Sequence, residues 1–287
     1  MKTIKRILFP TDFSRRCQTV VPAVASWAKF HKAKVVLFHV LHVPITAYGH
    51  FATNSALVDF TRLQKQAEDA LSKLYCNELE GIDVERIVVT GQPTEEIIRY
   101  VHHHLADLIM LPTHGSGKLR ALLLGSVAAS ILHDADCPVW TDAHVLTAGR
   151  VPEAPTSILC GVDLKPKSLQ LMAAAHFFAH EYGAELNFVH VVPPIEGTSE
   201  LWPPPEWMGD RLKKAREDFA ALAKQEHVRT DVEVVEGQVG QVLHDFAMRH
   251  RADLIVIGRD VMHERFGRLR THSYDIIRRS PCPVLSI

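Results

Sequence analysis

Apolar runs of strand length alternate with amphipathic stretches of helical length along the whole chain. The runs are continuous in Val, Ile and Leu, which is typical of strands buried on both faces of a parallel sheet. The pattern therefore predicts an α/β protein with helices on both faces of its sheets. The predicted strands are residues 6–9, 34–40, 84–89, 108–111, 139–141, 157–161, 185–191, 231–235, 254–257 and 284–287. The predicted helices are residues 17–31, 56–80, 94–103, 127–134, 168–182, 208–227, 239–250 and 273–279.

The same series of motifs occurs twice. The string Ile-Leu-Phe-Pro-Thr-Asp that ends at Asp12 returns as Ile-Leu-Cys-Gly-Val-Asp at Asp163, and the Ala-Asp-Leu-Ile string at Ala106 returns at Ala252. A Cys-Pro-Val string precedes the end of each copy. The chain is therefore an internal duplication of one five-stranded, doubly wound unit.

Each copy is long enough to form a core of its own, because domains are typically about 100 to 150 residues. We expect a first domain at residues 1–145, a linker at 146–156 and a second domain at 157–287. The linker carries glycine and proline, which favour irregular backbone. A second proline-rich stretch, residues 193–207, is predicted to be a non-helical loop.

The charge balance excludes some classes of partner. With 32 basic and 33 acidic residues, the formal charge is −1, so no global field attracts nucleic acid or a membrane surface. The five cysteines form no CxxC pair, which fits reduced thiols better than a disulfide framework. The chain shows neither a signal-peptide pattern nor a membrane-spanning apolar run. We therefore expect a cytoplasmic protein without nucleic-acid or membrane partners.

Ligands of doubly wound sheets bind at the carboxyl ends of the strands, where the strand order reverses. The first domain places Asp12 after its first strand, and Gly125-Ser126 directly before a helix. The helix start offers backbone N–H groups to a phosphate, and the carboxylate can accept hydrogen bonds from a base or a sugar. The alternative is structural: Ser126 is an N-cap and Asp12 caps the next helix. Lys118 and Arg120 add positive charge nearby.

Catalytic and metal-binding patterns are missing from the sequence. The Walker pattern fails at Pro112, GxGxxG starting at Gly115 fails as well, and no GxSxG elbow is present. The 18 histidines form no zinc pattern; His39 and His190, at equivalent strand positions, suggest a shared structural role. We expect no catalytic residue and no metal site.

Each half of the chain resembles a universal stress protein domain, and the whole resembles a tandem universal stress protein. The resemblance rests on the opening Ile-Leu-Phe-Pro-Thr-Asp-Phe-Ser, the Leu-Phe-His-Val strand, and Thr-His-Gly-x9-Gly-Ser followed by Cys-Pro-Val. It implies two tandem Rossmann-like domains of the adenine nucleotide alpha hydrolase-like type, each with a five-stranded parallel sheet.

The resemblance also implies ligand positions, because members that bind ATP use a G-x2-G-x9-G-S/T loop. On the adenine side the matching residues are Pro10, Asp12 and Val40; Gly115 matches the ribose and phosphate side, and Gly125, Ser126 and Val127 match the phosphate cradle. The full candidate set adds their neighbours Thr11, Leu111, Pro112 and His114. The role of His114 stays open between contact with phosphate or water and loop structure.

Two departures from the family pattern stand out. Pro112 occupies the position of the first loop glycine, where it has no N–H and carries a ring. In the second copy Asp260 and Arg270 replace glycines of the loop. We therefore expect one nucleotide site, in the first domain. The arginines around Arg270 are either a solvated basic face or side-chain ligands for another anion.

The resulting expectation is a regulatory stress-response protein that binds ATP or a related adenine nucleotide, with or without Mg²⁺, and shows at most slow ATP hydrolysis. Its other partners are unidentified proteins, and a homodimer is compatible with the sequence. The alternative is a nucleotide-free interaction module or chaperone-like scaffold of the same family. A phosphotransfer or nucleotidyl-transfer enzyme lacks a visible catalytic acid, base or metal cage.

Overall fold

The computed structural model describes residues 3–42, 60–113, 124–142, 154–165, 167–194, 205–225, 232–259 and 271–287. The chain divides into two compact units, Lys2–Trp140 and Thr141–Ile287. Most of the predicted linker lies outside the described residues, so the domain boundaries stay a prediction.

Strands and helices alternate in the N-terminal half. The elements are β1 (Arg6–Pro10), α1 (Arg15–His31), β2 (Lys34–Leu41), α2 (Phe60–Lys73), β3 (Val84–Thr90), α3 (Pro93–His104), β4 (Leu108–Pro112), α4 (Ser126–Asp134) and β5 (Val139–Asp142). The strand order is β3-β2-β1-β4-β5, and the pairs β1–β2, β1–β4 and β2–β3 are parallel.

The C-terminal half repeats this plan. Its elements are β6 (Ser157–Gly161), α5 (Ser168–Tyr182), β7 (Glu185–Val192), α6 (Pro205–Gln225), β8 (Val232–Glu236), α7 (Val239–Arg249), β9 (Leu254–Ile257), α8 (Thr271–Arg279) and β10 (Val284–Ser286). Its strand order is β10-β9-β6-β7-β8. The predicted fold class, a doubly wound α/β unit in each half, is confirmed.

Helices cover both faces of each sheet, which explains the unbroken apolar runs. Right-handed crossovers place α1 and α2 on one face of the N-terminal sheet and α3 and α4 on the other. Leu8, Val36 and Ile109 of the central strands are fully buried. A strand with water on one face would instead alternate apolar and polar residues.

Two predicted boundaries within the described residues differ from those of the structure by three or more residues and are wrong. Helix α2 ends at Lys73 and not at residue 80, because Tyr75 adopts a left-handed conformation (φ 55°). There the Arg86 side chain of β3 donates to the carbonyl oxygens of Leu71 and Leu74, which satisfies groups that a helix end leaves unpaired. Helix α6 begins inside the proline-rich stretch at Pro205, since proline is tolerated in the first turn of a helix.

The repeated Ala-Asp-Leu-Ile motif has a structural cause. A carboxylate oxygen of Asp107 accepts hydrogen bonds of 2.8 and 2.9 Å from the backbone amides of residues 5 and 6. In the second copy Asp253 accepts from the amides of residues 156 and 157 at 2.9 and 3.1 Å. Each aspartate therefore ties the start of the fourth strand of its unit to the start of the first.

Candidate functional site

The fold brings the ends of three strands of the N-terminal unit to one edge of the sheet. Ile7 of β1 pairs with Leu108 of β4, and Pro10 pairs with Phe38 of β2. Extending these registers puts Pro10, Thr11 and Asp12 between the end of β2, with Val40, and the end of β4, with Leu111 and Pro112. The strand order reverses between β1 and β4, so this edge is the usual ligand position of a doubly wound sheet.

Asp12 shapes the turn between β1 and α1. One oxygen of its exposed carboxylate accepts a 3.0 Å hydrogen bond from the Ser14 amide and a 3.2 Å hydrogen bond from the Cys17 thiol. The N-cap of α1 is Ser14, whose hydroxyl accepts from the Cys17 amide. Asp12 therefore precedes the cap rather than forming it, and it stabilises the turn at the candidate adenine side.

His39 holds the same turn from the neighbouring strand. Its Nδ1 donates a 2.8 Å hydrogen bond to the Thr11 carbonyl oxygen. Its ring packs against that of Phe13, with the centroids 4.4 Å apart. Phe13 adopts a left-handed conformation (φ 61°), and its amide donates to the Thr11 hydroxyl. The turn is thus fixed by backbone, hydroxyl and imidazole groups together.

The C-terminal unit contains the same turn with different chemistry. His190 donates a 2.7 Å hydrogen bond from Nδ1 to the Val162 carbonyl oxygen, and Leu164 has a φ of 58°. The expected shared structural role of His39 and His190 is confirmed. Here the acid is ion-paired, because the Lys165 ammonium lies 3.4 Å from the Asp163 carboxylate.

Gly125 marks the other end of the candidate site. It is the N-cap of α4, with extended backbone (φ −61°, ψ 146°), and its amide donates a 2.8 Å hydrogen bond to the carbonyl of the buried Thr113. The alternative in which Ser126 is the N-cap is wrong, because Ser126 is the first helical residue. A glycine cap has no side-chain oxygen that could accept a hydrogen bond from first-turn amides such as that of Val127.

The loop between β4 and α4 is only partly described. His114 and Gly115 of the candidate set, and Lys118 and Arg120, lie outside the described residues. In the second copy Asp260 and the arginines up to Arg270 also lie outside them.

The Cys17 thiol and the Tyr75 hydroxyl, which lie beside this turn, are protonated and neutral near pH 7. Burial, followed by the negative charge of Asp12, raises the pKa of the Cys17 thiol to about 11. Burial raises the pKa of Tyr75 to about 12, and its ring packs against Phe9 at a centroid distance of 6.0 Å. A thiol with a raised pKa is a poor nucleophile, so both side chains support the turn by packing and hydrogen bonding.

The different burial of the cysteines predicts which thiols react with an alkylating reagent. At pH 8 an alkylating reagent is expected to modify the exposed Cys76 and to leave the buried Cys17 and Cys160 unmodified, because the thiolate is the reactive form. Mass spectrometry of the folded protein measures the sites. Cys76→Ser is the control, and rapid labelling of Cys17 in that variant would contradict the buried turn.

A cavity of about 360 Å³ adjoins the turn. One wall is the start of α1, from Phe13 to Gln18, and the other is the segment from Lys73 to Glu78 at the end of α2. Sequence reasoning missed this cavity, because the two walls lie about 60 positions apart in the sequence and no motif connects them. It lies on the α1 and α2 face of the sheet, and none of its lining residues belongs to the candidate set.

Within the part of the chain that the structure describes, no three His, Cys, Asp or Glu side chains converge on one point as metal ligands would. Among the described helices, none combines the length and the apolar character that crossing a bilayer requires.

The fold and the strand-end site define a tandem α/β protein of the doubly wound class. The sequence profile described as the universal stress protein family matches residues 3–141 and again residues 156–287. The chain therefore belongs to the universal stress protein family, with two such domains in tandem, and the sequence-based resemblance is confirmed.

Two sequence relatives each match about half of this chain. Universal stress protein MJ0577 of Methanocaldococcus jannaschii is 28% identical over 150 residues, which cover 47% of this chain and 92% of that protein. Universal stress protein A homolog 1 of Coxiella burnetii is 31% identical over 136 residues, covering 47% and 93%. The crystal structure of a universal stress protein from Archaeoglobus fulgidus matches 99% of this chain and 96% of its own, with a TM-score of 0.68 and 22% identity. That structural likeness shows the fold alone.

Proposed function

We propose that the N-terminal domain binds ATP or a related adenine nucleotide at the edge formed by the ends of β1, β2 and β4. The observation that carries this proposal is the start of α4, where a glycine cap leaves the first-turn amides without a side-chain partner from the cap. Backbone amides and the helix dipole at such a start favour an anionic phosphate.

The adenine-side residues support the same ligand. Asp12 and Val40 lie on neighbouring strand ends, and the turn that carries Asp12 is fixed through Thr11 and His39. A rigid turn loses little conformational entropy when it binds a flat base. Pro10, Leu111 and Pro112 form the rest of the strand edge, while the roles of His114 and Gly115 remain part of the proposal.

The C-terminal domain is less suited to the same ligand. By sequence count an arginine stands where the N-terminal domain has Gly125. We propose one nucleotide site per chain, with Mg²⁺ carried in by the phosphates. A nucleotide that binds one conformation of the chain more tightly would shift the population toward that conformation and so change a surface that binds a partner protein. Such a shift gives the protein a regulatory stress-response role in the cytoplasm.

Isothermal titration of the full chain with ATP tests this proposal. Wild-type protein is expected to bind ATP with one site per chain. Gly125→Arg is expected to weaken binding about thirtyfold, since losing charged hydrogen bonds to phosphate costs about 2 kcal/mol. The substitution also places a long side chain where phosphate would approach backbone.

The second domain provides the matched control. Thr271 begins α8, the counterpart of α4, so Thr271→Arg is expected to leave the affinity and the stoichiometry unchanged. Equal loss in both variants would contradict a site at α4. Absence of binding by wild-type protein would contradict the proposal as a whole.

The nucleotide-free scaffold is the second candidate function. One Asp12 oxygen is already used by Ser14 and Cys17, and Pro112 has no amide to donate. Both features lower the number of groups available to a nucleotide. A wild-type chain that binds no ATP in the titration would favour this candidate.

A further inference from the structure

The backbone hydrogen bonds between β1 and β2 stop one step early at the candidate site. They occur at alternate residues along the two parallel strands, and the last of them joins the Thr11 amide to the Phe38 carbonyl oxygen at 2.9 Å. In a regular parallel ladder the next bond runs from the Val40 amide to the Thr11 carbonyl oxygen. That backbone bond is absent among the described residues.

A side chain takes the place of the missing backbone donor. His39 Nδ1 donates to the Thr11 carbonyl oxygen at 2.8 Å, so this acceptor is satisfied without the Val40 amide. Within the part of the chain that the structure describes, the Val40 amide has no hydrogen-bond partner, although the residue is half-buried. An unpaired backbone donor at such a position requires an explanation, because backbone groups away from bulk water are nearly always hydrogen-bonded.

The C-terminal unit contains the same arrangement. The Val162 amide donates to the Val189 carbonyl oxygen at 2.9 Å, and His190 Nδ1 donates to the Val162 carbonyl oxygen at 2.7 Å. The backbone bond that would follow, from the Val191 amide, is again absent among the described residues of that unit. Because an arginine replaces Gly125 there by sequence count, this second copy of the histidine bond provides a comparison in a domain where we expect no nucleotide.

We propose that His39 is a positioning residue of the nucleotide site, which keeps the Val40 amide available to the bound base by occupying the Thr11 carbonyl oxygen. This inference rests on the proposed nucleotide function and gives a role to a residue outside the candidate set. The imidazole acts through the backbone and does not contact the ligand. A donor that is already unpaired binds without the cost of first breaking a backbone hydrogen bond.

Titration of the full chain with ATP and with inorganic tripolyphosphate tests the inference. His39→Leu removes the imidazole donor, so the Thr11 carbonyl oxygen becomes available to the Val40 amide. We expect this variant to bind ATP about five- to tenfold more weakly, which corresponds to the net contribution of one hydrogen bond. Its affinity for tripolyphosphate is expected to equal that of wild-type protein, because the start of α4 is unchanged. His39→Asn keeps a side-chain N–H donor near the position of Nδ1 and is expected to restore ATP binding.

Amide hydrogen exchange of Val40, followed by NMR on protein labelled with ¹⁵N-valine, tests the backbone step directly. In wild-type protein without ligand we expect this amide to exchange much faster than that of Val36, which lies in the buried middle of β2. ATP is expected to slow the exchange. In His39→Leu the amide is expected to exchange slowly even without ligand, since it can then bond to the Thr11 carbonyl oxygen.

His190→Leu is the matched control, because it removes the equivalent hydrogen bond in the second domain and is expected to leave ATP affinity unchanged. Equal ATP affinity in His39→Leu and wild-type protein, or a Val40 amide already protected in wild-type protein without ligand, would overturn the inference and leave the proposed nucleotide function intact. A parallel loss of tripolyphosphate binding would also overturn it, by assigning His39 a purely structural role. Failure of wild-type protein to bind ATP would instead remove the proposed function and the inference with it.

Discussion

Replacing Phe178 by alanine is expected to lower the free energy of unfolding by about 3 to 5 kcal/mol, the usual cost of removing a fully buried aromatic ring. Phe178 lies on α5 and is 0% exposed. Its ring contacts those of Phe177 and Tyr182 at centroid distances of 5.7 and 6.1 Å. The loss combines the transfer of apolar surface with the cavity that the rigid surroundings cannot close.

Urea denaturation followed by circular dichroism measures this effect. The neighbouring residue gives a matched control, because Phe177 is only half-buried and has the same size. Phe177→Ala is expected to cost clearly less than Phe178→Ala. Equal effects of the two substitutions would contradict the orientation of α5 on its sheet.

Asp253→Ala is expected to destabilise the C-terminal unit by about 3 kcal/mol, since hydrogen bonds to a charged group contribute about 1.5 to 3 kcal/mol each and partial exposure reduces their sum. Asp253 accepts hydrogen bonds from the Thr156 amide and hydroxyl and from the Ser157 amide. The substitution removes these acceptors at the start of β6. Hydrogen exchange of the peptide that contains β6 should therefore accelerate together with the loss of stability.

An aspartate on the surface of α7 provides the control for this substitution. Asp245 is exposed and accepts a hydrogen bond from Gln241 on the same helix, so Asp245→Ala is expected to change stability by less than about 0.5 kcal/mol. Asp107→Ala repeats the Asp253 experiment in the N-terminal unit and is expected to act in the same direction. A β6 exchange rate unchanged in Asp253→Ala would contradict the tie between β9 and β6.

The strands could be predicted closely from the sequence. The structure places β6 at Ser157–Gly161 and β9 at Leu254–Ile257, the same bounds that the apolar runs predict. A strand buried on both faces has the simplest sequence pattern, since nearly all of its residues are apolar. The end of α2 followed no such rule, because Arg86, a residue of a later strand, contacts the carbonyls at its end.

The residues of the candidate site could be predicted from the sequence, but the contacts that hold them in place could not. Asp12 and Gly125 were found from strand-end position and family motif, and the structure puts them at the edge where the strand order reverses. The hydrogen bonds that use Asp12 inside its own turn were not visible in the sequence. Nor was the contact between the tilted rings of His39 and Phe13, since the two residues lie on different elements.

The sequence by itself determined the duplication, the order of strands and helices, and the family. These properties follow from local periodicity and repeated motifs, which neighbouring residues encode. Only the tertiary structure decided how each motif is used. Asp107 and Asp253 connect the starts of two strands by hydrogen bonds. Phe13 lines a cavity, whereas Leu164, at the equivalent position, packs against an apolar cluster. The reason is that a hydrogen-bond partner or a packing surface comes from another element, and its distance is fixed only when the chain has folded.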